Sequence, residues 1–498
     1  MKPRWLKALE AAVGAEQVAV DPGNRLLYAR DMMSGGLLEQ KAGHAPSLPH
    51  AICSPRSVGD IRRVLAVARR HKLPVVPFGA GSGVSGGTTP VRGGIMLDLK
   101  RFARLGDVEE TEGRFYVTAE SGILGQHLER DLNARGFTLG HFPSSMLCAT
   151  VGGYLACRSA GQLSSKYGKI EDMTDAVEAV LASGEVVPFG GRLKKFPQLR
   201  PEDVLIGSEG CLAVFTRARF RIFPMAPRTL YRGVAFPRIE NALTAVRHIM
   251  QSGLKPAVVR LYDPVDSLLL KHGYKKKKSK KKGGSSDWYY PLILRQPAAV
   301  QKLAERASSE VLLILGFEGE AELARSLERR ALQYAVSLQG KDLGPEPGLH
   351  WRDHRYSVSF KMPKLFVKGC FVDTIEVATT WENLQALYDG MRKALMKRTL
   401  LLAHFSHAYA EGCSIYFTVV GRCRQPEQDL KLYREIWDDA METCLGLGAT
   451  ISHHHGIGLL KGKYMARELG GAMPLFRELK KKLDPLGIMN PGKMGLDA

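Results

Sequence analysis

The sequence lacks a long apolar run, a secretory leader and paired cysteines. No window of the 498 residues approaches the roughly 18 consecutive apolar residues of a membrane-spanning helix. The first residues are mixed and polar, without the apolar core of a signal peptide. The eight cysteines are scattered and form no CxxC pair, which argues against a zinc module or a disulfide framework. We therefore predict a cytoplasmic protein with reduced thiols.

Acidic residues are scarce relative to basic ones, and the net charge is +21. Part of the excess lies in one run, from Lys275 to Lys278 and from Lys280 to Lys282, followed by two glycines and two serines. No aromatic residue interrupts the run and no nucleic-acid-binding motif occurs, so we expect no nucleic-acid partner. Clustered lysines gain about 1 kcal/mol each at an anionic membrane. The run from Lys275 to Lys282 is therefore either a peripheral membrane contact or a solvated loop without a partner.

The order of strand and helix patterns divides the chain into four parts. Residues 1–45 predict a helical segment. Residues 46–224 alternate short apolar strands with amphipathic helices, one of them capped by Ser57, and end in a long strand. Residues 225–440 repeat strand-helix units, which predicts an α+β cap over an open sheet. Residues 441–498 carry three consecutive histidines and are expected to pack back on the first domain. The strands predicted for the cap are 231–236, 258–262, 311–317, 374–379 and 414–420.

Glycine is concentrated between Pro77 and Gly87, in the sequence PFGAGSGVSGG directly after a predicted strand. So many glycines allow backbone N–H groups to converge on an anion, of which a pyrophosphate is the natural example. The spacing G-x-G-x-x-G occurs here, but no clear helix or ribose-binding acid follows at the distance typical of a dinucleotide fold. The loop therefore argues against a nicotinamide cofactor.

Three further stretches, at 143–153, 158–161 and 207–210, accompany this loop. Together they resemble the FAD-binding domain of the vanillyl-alcohol-oxidase superfamily, the PCMH type, over residues 46–224. The resemblance implies the fold class α+β, with a two-subdomain FAD-binding domain and an α+β cap domain that has an open antiparallel sheet. The residues expected to hold FAD are Pro77, Gly79, Ala80, Gly81, Ser82, Gly83, Val84, Ser85, Gly86, Pro143, Ser144, Thr150, Gly152, Gly153, Arg158, Ser159, Gly161, Glu209, Gly210 and Val214. Covalently flavinylated members carry a histidine or cysteine in or near the first loop, where this chain has Ser82. We therefore predict non-covalent FAD.

Two subfamilies of this superfamily fit the second half of the chain. Many 2-hydroxy-acid dehydrogenases, of the D-lactate and glycolate type, carry the motifs GHxGDGNxH and EHGxG around a divalent metal that polarises the substrate. His407 matches the first histidine, but Tyr416 stands near the second and His454 replaces the glutamate. We therefore expect no catalytic metal, and such a dehydrogenase or oxidase is the alternative function.

The same departures resemble the alkyldihydroxyacetonephosphate synthases. The resemblance rests on SHAYAEGCSIYF at 406–417, SHHHGIG at 452–458, IEVATTW at 375–381 and SKYGKIED at 165–172. It covers most of the chain from residue 46 onward. It implies an enzyme of ether-lipid synthesis that exchanges the acyl chain of acyl-dihydroxyacetone phosphate for a fatty alcohol, with FAD as electrophile and no net redox change. Its partners would be lipid-like small molecules, and the sequence leaves the oligomeric state open, a homodimer included.

Four residues are the predicted catalytic set, Tyr416, His453, His454 and His455. By the resemblance, Tyr416 removes and returns a proton at substrate C1. Its ordinary pKa of about 10 calls for a cationic neighbourhood, which the histidine run is expected to supply. Three adjacent histidines add little packing and cost desolvation, while histidine carries protons near neutral pH. The structural alternatives are a core aromatic residue on a strand and a solvated loop.

Four residues are the predicted substrate-binding set, Lys361, Arg352, Arg355 and His404. The family binds the substrate phosphate with an arginine, and the matching position here is Lys361. Lysine meets a phosphate as a point charge, without the bidentate fork of arginine. Arg352 and Arg355 are alternatives, although a structural salt bridge would explain either of them equally well.

Overall fold

The computed structural model describes residues 2–190, 200–268, 297–307, 310–357, 366, 370–422 and 425–496. The chain forms two compact units. Unit 1 comprises Met1–Ala160, Gly168–Met225 and His454–Ala498, and unit 2 comprises Gly161–Tyr167 and Ala226–His453. The boundary near the C-terminus falls inside the histidine run, between His453 and His454. The run of lysines from Lys275 to Lys282 lies outside the described residues, as does Lys361.

The described strands form three sheets. In chain order they are β1 (Val18–Ala19), β2 (Ala51–Cys53), β3 (Val75–Phe78), β4 (Ile95–Asp98), β5 (Leu105–Thr111), β6 (Arg114–Glu120), β7 (Phe137–Thr138), β8 (Thr174–Leu181), β9 (Val186–Gly190), β10 (Ala213–Pro224), β11 (Arg228–Phe236), β12 (Val258–Tyr262), β13 (Val311–Gly319), β14 (Lys341–Gly344), β15 (Cys370–Thr380), β16 (Leu400–Ala408) and β17 (Gly412–Arg422). Unit 1 holds a sheet of order β1-β2-β4-β3 and a second of order β5-β6-β10-β8-β9, with β7 paired to β10. Unit 2 holds one sheet of order β14-β11-β13-β12-β16-β17-β15, whose strand pairs are antiparallel. The predicted α+β class is confirmed.

Helices flank these sheets within each unit. In chain order they are α1 (Arg4–Val13), α2 (Pro22–Leu27), α3 (Ser34–Lys41), α4 (Val58–His71), α5 (Gly125–Asn133), α6 (Val151–Ala156), α7 (Ser164–Tyr167), α8 (Ile170–Met173), α9 (Ile239–Gln251), α10 (Pro297–Ala307), α11 (Ala321–Ser337), α12 (Glu346–His354), α13 (Leu384–Leu395), α14 (Pro426–Gly446), α15 (Met465–Leu469) and α16 (Met473–Leu483). The short α7 belongs to unit 2, although its neighbours in sequence on both sides belong to unit 1.

Helix α4 and the C-terminal segment pack on the first sheet of unit 1 and fix the strand that leads into the glycine loop. Ser57 caps α4 in a capping box with Asp60, as predicted, and the helix buries its apolar face against β2, β3 and β4. The chain's C-terminal segment adds to the same core. The Val75 N–H donates to the Ile488 carbonyl at 2.8 Å, and the Asn490 N–H donates to the Val75 carbonyl at 2.9 Å. Both edges of β3, the strand that leads into the glycine loop, are therefore paired along at least part of their length.

The sheet of unit 2 contains a strand that the sequence pattern did not predict. β16 has the sequence LLLAHFSHA and lies between β12 and β17. Most of its side chains are buried, including residues on both faces. A strand covered on both faces shows no alternation of polar and apolar residues, so periodicity alone does not distinguish it from a buried helix. This strand carries two of the histidines of the candidate site.

Candidate active site

The glycine loop of unit 1 follows β3 and relies on conformations and close contacts that suit glycine. Gly81 and Gly86 have φ angles of 63° and 78°. A Cβ atom added to Gly79 would lie 2.2 Å from Oγ1 of Thr150. Thr150 itself caps α6 by accepting a hydrogen bond from the Gly153 N–H at 3.3 Å. The backbone of the predicted loop at 77–87 thus packs directly against the side chain of Thr150, in the loop at 150–153. Glycine permits such a close approach of the backbone, to a side chain or to a ligand.

The turn after the histidine run is hydrogen-bonded to this loop. The Ser85 hydroxyl donates to the His455 carbonyl at 2.9 Å and also contacts the Gly456 carbonyl oxygen at 3.2 Å. Glu209 accepts hydrogen bonds from the N–H groups of Ile457 and Gly458, the second at 2.8 Å. Burial raises the pKa of the Glu209 carboxyl, while these two N–H groups oppose the shift. Glu209, predicted to hold FAD, therefore positions the turn.

Other predicted FAD-binding residues have mainly supporting contacts within unit 1. Arg158, with a φ angle of 50°, donates from Nε to the Ile206 carbonyl and from Nη2 to the Asp203 carbonyl, each at 2.9 Å. Val214 is fully buried in the core of the first sheet. Gly161 opens the segment that belongs to unit 2. The contacts of Arg158 and Val214 within the protein indicate scaffolding.

Unit 1 also contains buried polar atoms that suit a polar cofactor. Oγ of Ser121, Oγ of Ser208 and Nδ1 of His141 are buried and have no hydrogen-bond partner among the described residues. Nε2 of His141 lies 2.8 Å from the Ser159 hydroxyl, and burial lowers the pKa of His141 to about 3, so this imidazole is neutral. Buried polar atoms nearly always find partners, and the hydroxyl, carbonyl and phosphate groups of FAD can provide them. The residues present therefore fit the cofactor.

Tyr416, a predicted catalytic residue, lies in a row of side chains across four strands of unit 2. Strand register places Tyr262 opposite His404, His404 opposite Tyr416, and Tyr416 opposite Glu376. Directly opposed residues in antiparallel strands project from the same face of the sheet. The rings of His404 and Tyr416 stack with centroids 4.7 Å apart and planes inclined by 14°. The sheet thus presents a row of polar and aromatic groups on one face.

Tyr416 contacts a histidine outside the predicted catalytic set. Nε2 of His407 lies 2.6 Å from the Tyr416 hydroxyl oxygen, a hydrogen-bond distance. Burial and the charge of Glu376 raise the pKa of Tyr416 well above its ordinary value, and the Arg260 charge opposes this shift only in part. The expected cationic lowering of the pKa is therefore wrong in its net direction, because burial of the ring dominates. The phenol is protonated at neutral pH.

His404 is neutral and held between two charged residues. Arg260 Nη2 donates to His404 Nε2 at 2.9 Å, and Asp266 Oδ2 lies 3.6 Å from Nδ1. Burial, followed by the Arg260 charge, lowers the pKa of His404 well below its ordinary value. Nε of Arg260 is buried without a hydrogen-bond partner among the described residues. This guanidinium retains a donor that an anionic group can use.

The three consecutive histidines have different surroundings. The backbone N–H of His453 donates to Glu376 Oε2 at 3.0 Å. The centroid of the His453 ring lies 5.6 Å from that of the His407 ring. His454 and His455 belong to unit 1, with ring centroids 4.7 Å apart. Within unit 2, therefore, His453 is the member of the run that lies among the neighbours of Tyr416.

Arg352 and Arg355, two predicted phosphate ligands, lie at the end of α12 and just beyond it. Arg352 pairs with its neighbour Asp353 at 2.8 Å, with 48% and 54% of the two side chains exposed. The Arg355 guanidinium lies 4.9 Å from the ring centroid of Tyr356. Arg352 thus has the salt bridge that the structural alternative expected, and the third candidate, Lys361, lies outside the described residues.

Sequence reasoning assigned no catalytic role to four residues at or near the row. Glu376 is a member of the row, Arg260 and His407 contact it, and Ser164 contacts His407. Glu376 and His407 lie within stretches that carry the family resemblance, so their strand positions were an available signal. Ser164 is 243 positions from its partner His407, and no local pattern marks such a contact.

Among the described residues, no helix has the length and apolar composition to cross a membrane.

Comparison with known proteins places the chain in a family. A model described as FAD linked oxidases, C-terminal domain, matches residues 226–494, and a model described as FAD binding domain matches residues 49–190. The chain belongs to the FAD-linked oxidase family. FAD is its cofactor, and its fold is that of the PCMH-type flavoproteins.

Similar proteins include both synthases and oxidoreductases. Alkyldihydroxyacetonephosphate synthase of Trypanosoma brucei brucei is 28% identical over 99% of this chain and 81% of its own length. A solved structure of an alkyldihydroxyacetonephosphate synthase has a TM-score of 0.78 at 25% identity and covers 99% of this chain and 85% of the other. Glycolate oxidase subunit GlcD of Bacillus subtilis is 24% identical over 90% of this chain and 89% of its own length. These names support an FAD-linked enzyme.

Proposed function

We propose that this FAD-linked enzyme exchanges the acyl chain of acyl-dihydroxyacetone phosphate for a fatty alcohol, without net redox change. The observation that carries the proposal is the pairing of Tyr416 with His407 at 2.6 Å. A 2-hydroxy-acid dehydrogenase of the type described above would have a metal-binding histidine near position 416. A phenol hydrogen-bonded to an imidazole is instead suited to move a proton. The similarity to alkyldihydroxyacetonephosphate synthases supports the same reaction.

In this proposal Tyr416 moves the proton at substrate C1. Its raised pKa suits the protonated form, which returns a proton to carbon. His407, whose Nε2 lies 2.6 Å from the Tyr416 oxygen, is placed to stabilise the form that removes one. Bound FAD would supply the electrophilic centre that the reaction needs. The buried Nε of Arg260 supplies a donor for an anionic group of the substrate, and His404 accepts a hydrogen bond from Nη2 of the same guanidinium. His453 is the proposed proton donor from the histidine run.

The phosphate-binding residues are a separate part of the proposal. Lys361, Arg352 and Arg355 stay candidates from the family resemblance. The exposed pair that Arg352 forms with Asp353 weakens its claim, because Nε and Nη2 of this guanidinium already contact the Asp353 carboxylate. Arg260 is the better supported cation, since its guanidinium donates to His404, which lies beside Tyr416 in the row.

The second candidate function is oxidation of a 2-hydroxy acid, which the similarity to glycolate oxidase subunit GlcD favours. The two functions differ in their products. The exchange yields an ether lipid and a free fatty acid, whereas the oxidation delivers two electrons to an acceptor. A neutral His404 and a protonated Tyr416 fit either reaction, so the products must decide between them.

A product assay tests the proposal. The holoenzyme is incubated with palmitoyl-dihydroxyacetone phosphate and labelled hexadecanol, and separately with D-lactate or glycolate and a redox dye. We expect labelled ether lipid and no dye reduction by the hydroxy acids. A mixture without the acyl substrate is the control for adsorbed label. Dye reduction without ether product would replace the proposal by the second candidate function.

We also propose that FAD is held without a covalent bond, because Ser82 occupies the position where covalently flavinylated relatives carry histidine or cysteine. Acid precipitation of the yellow holoenzyme is expected to leave the flavin in the supernatant. Flavin absorbance that stays with the washed pellet would show a covalent attachment.

A further inference from the structure

His407 has a backbone conformation that aims its side chain. Its φ angle is 54°, in the left-handed region that few residues other than glycine adopt. The pairing of β16 with β17 shifts by one residue between Ser406 and Ala408, so His407 is the extra residue of a β-bulge. Such strain persists where the surrounding structure fixes it, and it clusters at functional sites. The bulge places a buried imidazole against the Tyr416 hydroxyl.

His407 is the third member of a chain of hydrogen bonds. The Tyr409 hydroxyl donates to Ser164 Oγ at 3.2 Å, and Ser164 Oγ lies 2.7 Å from His407 Nδ1. Nε2 of His407 then lies 2.6 Å from the Tyr416 oxygen. A serine hydroxyl that accepts a hydrogen bond from tyrosine can donate its own O–H to Nδ1. In that arrangement the proton of the imidazole is on Nε2 and points at Tyr416.

Other charged and titratable groups lie around His407. The His453 ring lies 5.6 Å away and the Tyr409 hydroxyl reaches it through Ser164. Glu376 is the nearby carboxylate, and it accepts a hydrogen bond from the backbone N–H of His453 at 3.0 Å. Arg260 donates to His404, whose ring stacks on that of Tyr416. Two hydroxyls, those of Ser164 and Tyr416, lie within hydrogen-bond distance of the His407 ring nitrogens.

We infer that His407, held as the Nε2–H tautomer by Ser164, donates a hydrogen bond to the Tyr416 oxygen and stabilises the phenolate that forms when Tyr416 gives up its proton. The O–H bond of Tyr416 breaks, the proton passes to the substrate carbon, and the electron pair remains on the phenolate oxygen. The reverse step restores the phenol, and no oxidant or reductant takes part. His407, Ser164 and Tyr409 are positioning residues that act through Tyr416. The proton transfer rests on the proposed function, whereas the tautomer does not.

The tautomer can be read directly. In holoenzyme labelled with ¹⁵N-histidine, the signals of His407 are identified by their loss in His407→Gln. We expect the chemical shifts of a neutral ring protonated on Nε2. Ser164→Ala should broaden or shift these signals because it removes the donor to Nδ1, whereas Ser164→Thr should largely restore them. A ring protonated on Nδ1 in the wild-type protein would overturn the inference, whether or not the enzyme makes ether lipid.

Kinetics separate a hydrogen-bond donor from a general base. His407→Leu should lower kcat by ~10²–10³-fold with KM little changed, the usual cost of one donor to a developing oxyanion. His407→Gln should recover much of this loss, because its side-chain amide also donates. Ser164→Ala should lower kcat roughly tenfold, the value of about one hydrogen bond. His248→Gln, an exposed histidine of unit 2, is the matched control and should retain wild-type kcat.

The outcomes are distinguishable. Equal loss of kcat in His407→Gln and His407→Leu, with both variants folded and loaded with FAD, would contradict the donor role and favour a base. Wild-type kcat in His407→Leu would remove His407 from the mechanism. Failure of the wild-type protein to make ether lipid would instead overturn the proposed function, and the tautomer measurement would still decide the state of His407.

Discussion

The glycine loop of unit 1 and the polar row of unit 2 differ in the atoms that they present, backbone groups in the first and side chains in the second. In unit 1 the proposed cofactor-binding surface is backbone, made accessible by glycines and fixed by Ser85, Glu209 and Asn490. In unit 2 the proposed catalytic groups are side chains that strand register places side by side. We propose that the first arrangement holds FAD and that the second moves a proton. A substitution in the polar row should therefore lower turnover without loss of FAD, whereas a substitution at the glycine loop should lower the FAD content itself.

The largest expected effect is on turnover by Tyr416→Phe. The variant lacks the proton donor but keeps the ring that stacks on His404. We expect kcat to fall by ~10²–10⁴-fold, the usual contribution of a positioned acid or base. The FAD content and flavin spectrum should stay those of the wild-type protein. Tyr334→Phe, on α11, is the control, and wild-type turnover in Tyr416→Phe would refute the division of roles.

Gly458→Ala should damage unit 1. Gly458 has a φ angle of 51°, and an added Cβ atom would lie 2.1 Å from the Ser85 carbonyl oxygen. The turn must move away from the glycine loop, so we expect loss of bound FAD and a decrease of about 2–4 kcal/mol in the free energy of unfolding. Denaturant titration and the flavin-to-protein absorbance ratio measure both. Gly471→Ala, where an added Cβ atom meets nothing within 4 Å, is the control, and full FAD retention in Gly458→Ala would contradict the tight packing of the turn.

Acid should destabilise unit 1 through His141. Its pKa of about 3 in the folded protein lies below the ordinary value, so between these two values the unfolded chain binds a proton that the folded protein does not. This contribution to stability is complete above about pH 6.5 and decreases as the pH falls, by roughly 2–3 kcal/mol between pH 7 and pH 4.5. His141→Gln should reduce the difference between denaturant titrations at these two pH values. His127→Gln, at an exposed position on α5, should not, and an unchanged pH dependence in His141→Gln would contradict the neutral state of His141.

The smallest effect on turnover is expected from deletion of residues 275–282. The deletion removes seven lysines and should weaken binding to vesicles that contain anionic lipid, because each lysine contributes about 1 kcal/mol at such a surface. Turnover with substrates dispersed in detergent should stay unchanged. Cosedimentation with anionic and with neutral vesicles measures the difference. Unchanged binding to anionic vesicles would assign the run to a solvated loop without a membrane partner.

The two regions also differ in how far the sequence predicts them. The glycine loop is local, so residues 77–87 could be located from composition and spacing. Thr150 was named from the family resemblance, and its role as the cap of α6 came from the structure. The row in unit 2 depends on contacts between distant segments. Tyr416 could be named from the family resemblance, but its neighbour His407 required the bulge in β16, a strand whose apolar pattern is ambiguous.

The histidine run shows the limit of sequence reasoning most clearly. Three identical residues in a row give no local signal that would separate them. The structure assigns His453 to the unit that contains Tyr416 and Glu376, and His454 and His455 to the unit that contains the glycine loop. Their burial and partners, which decide their chemistry, are set by tertiary packing.

We propose that an FAD-linked fold here serves proton transfer without net redox change. The stoichiometry of the reaction under anaerobic conditions, without an electron acceptor, tests this proposal. We expect one ether lipid formed for each fatty acid released, at the rate seen in air, with the flavin oxidised at the end. A requirement for oxygen or dye, or reduced flavin that accumulates in proportion to product, would contradict it.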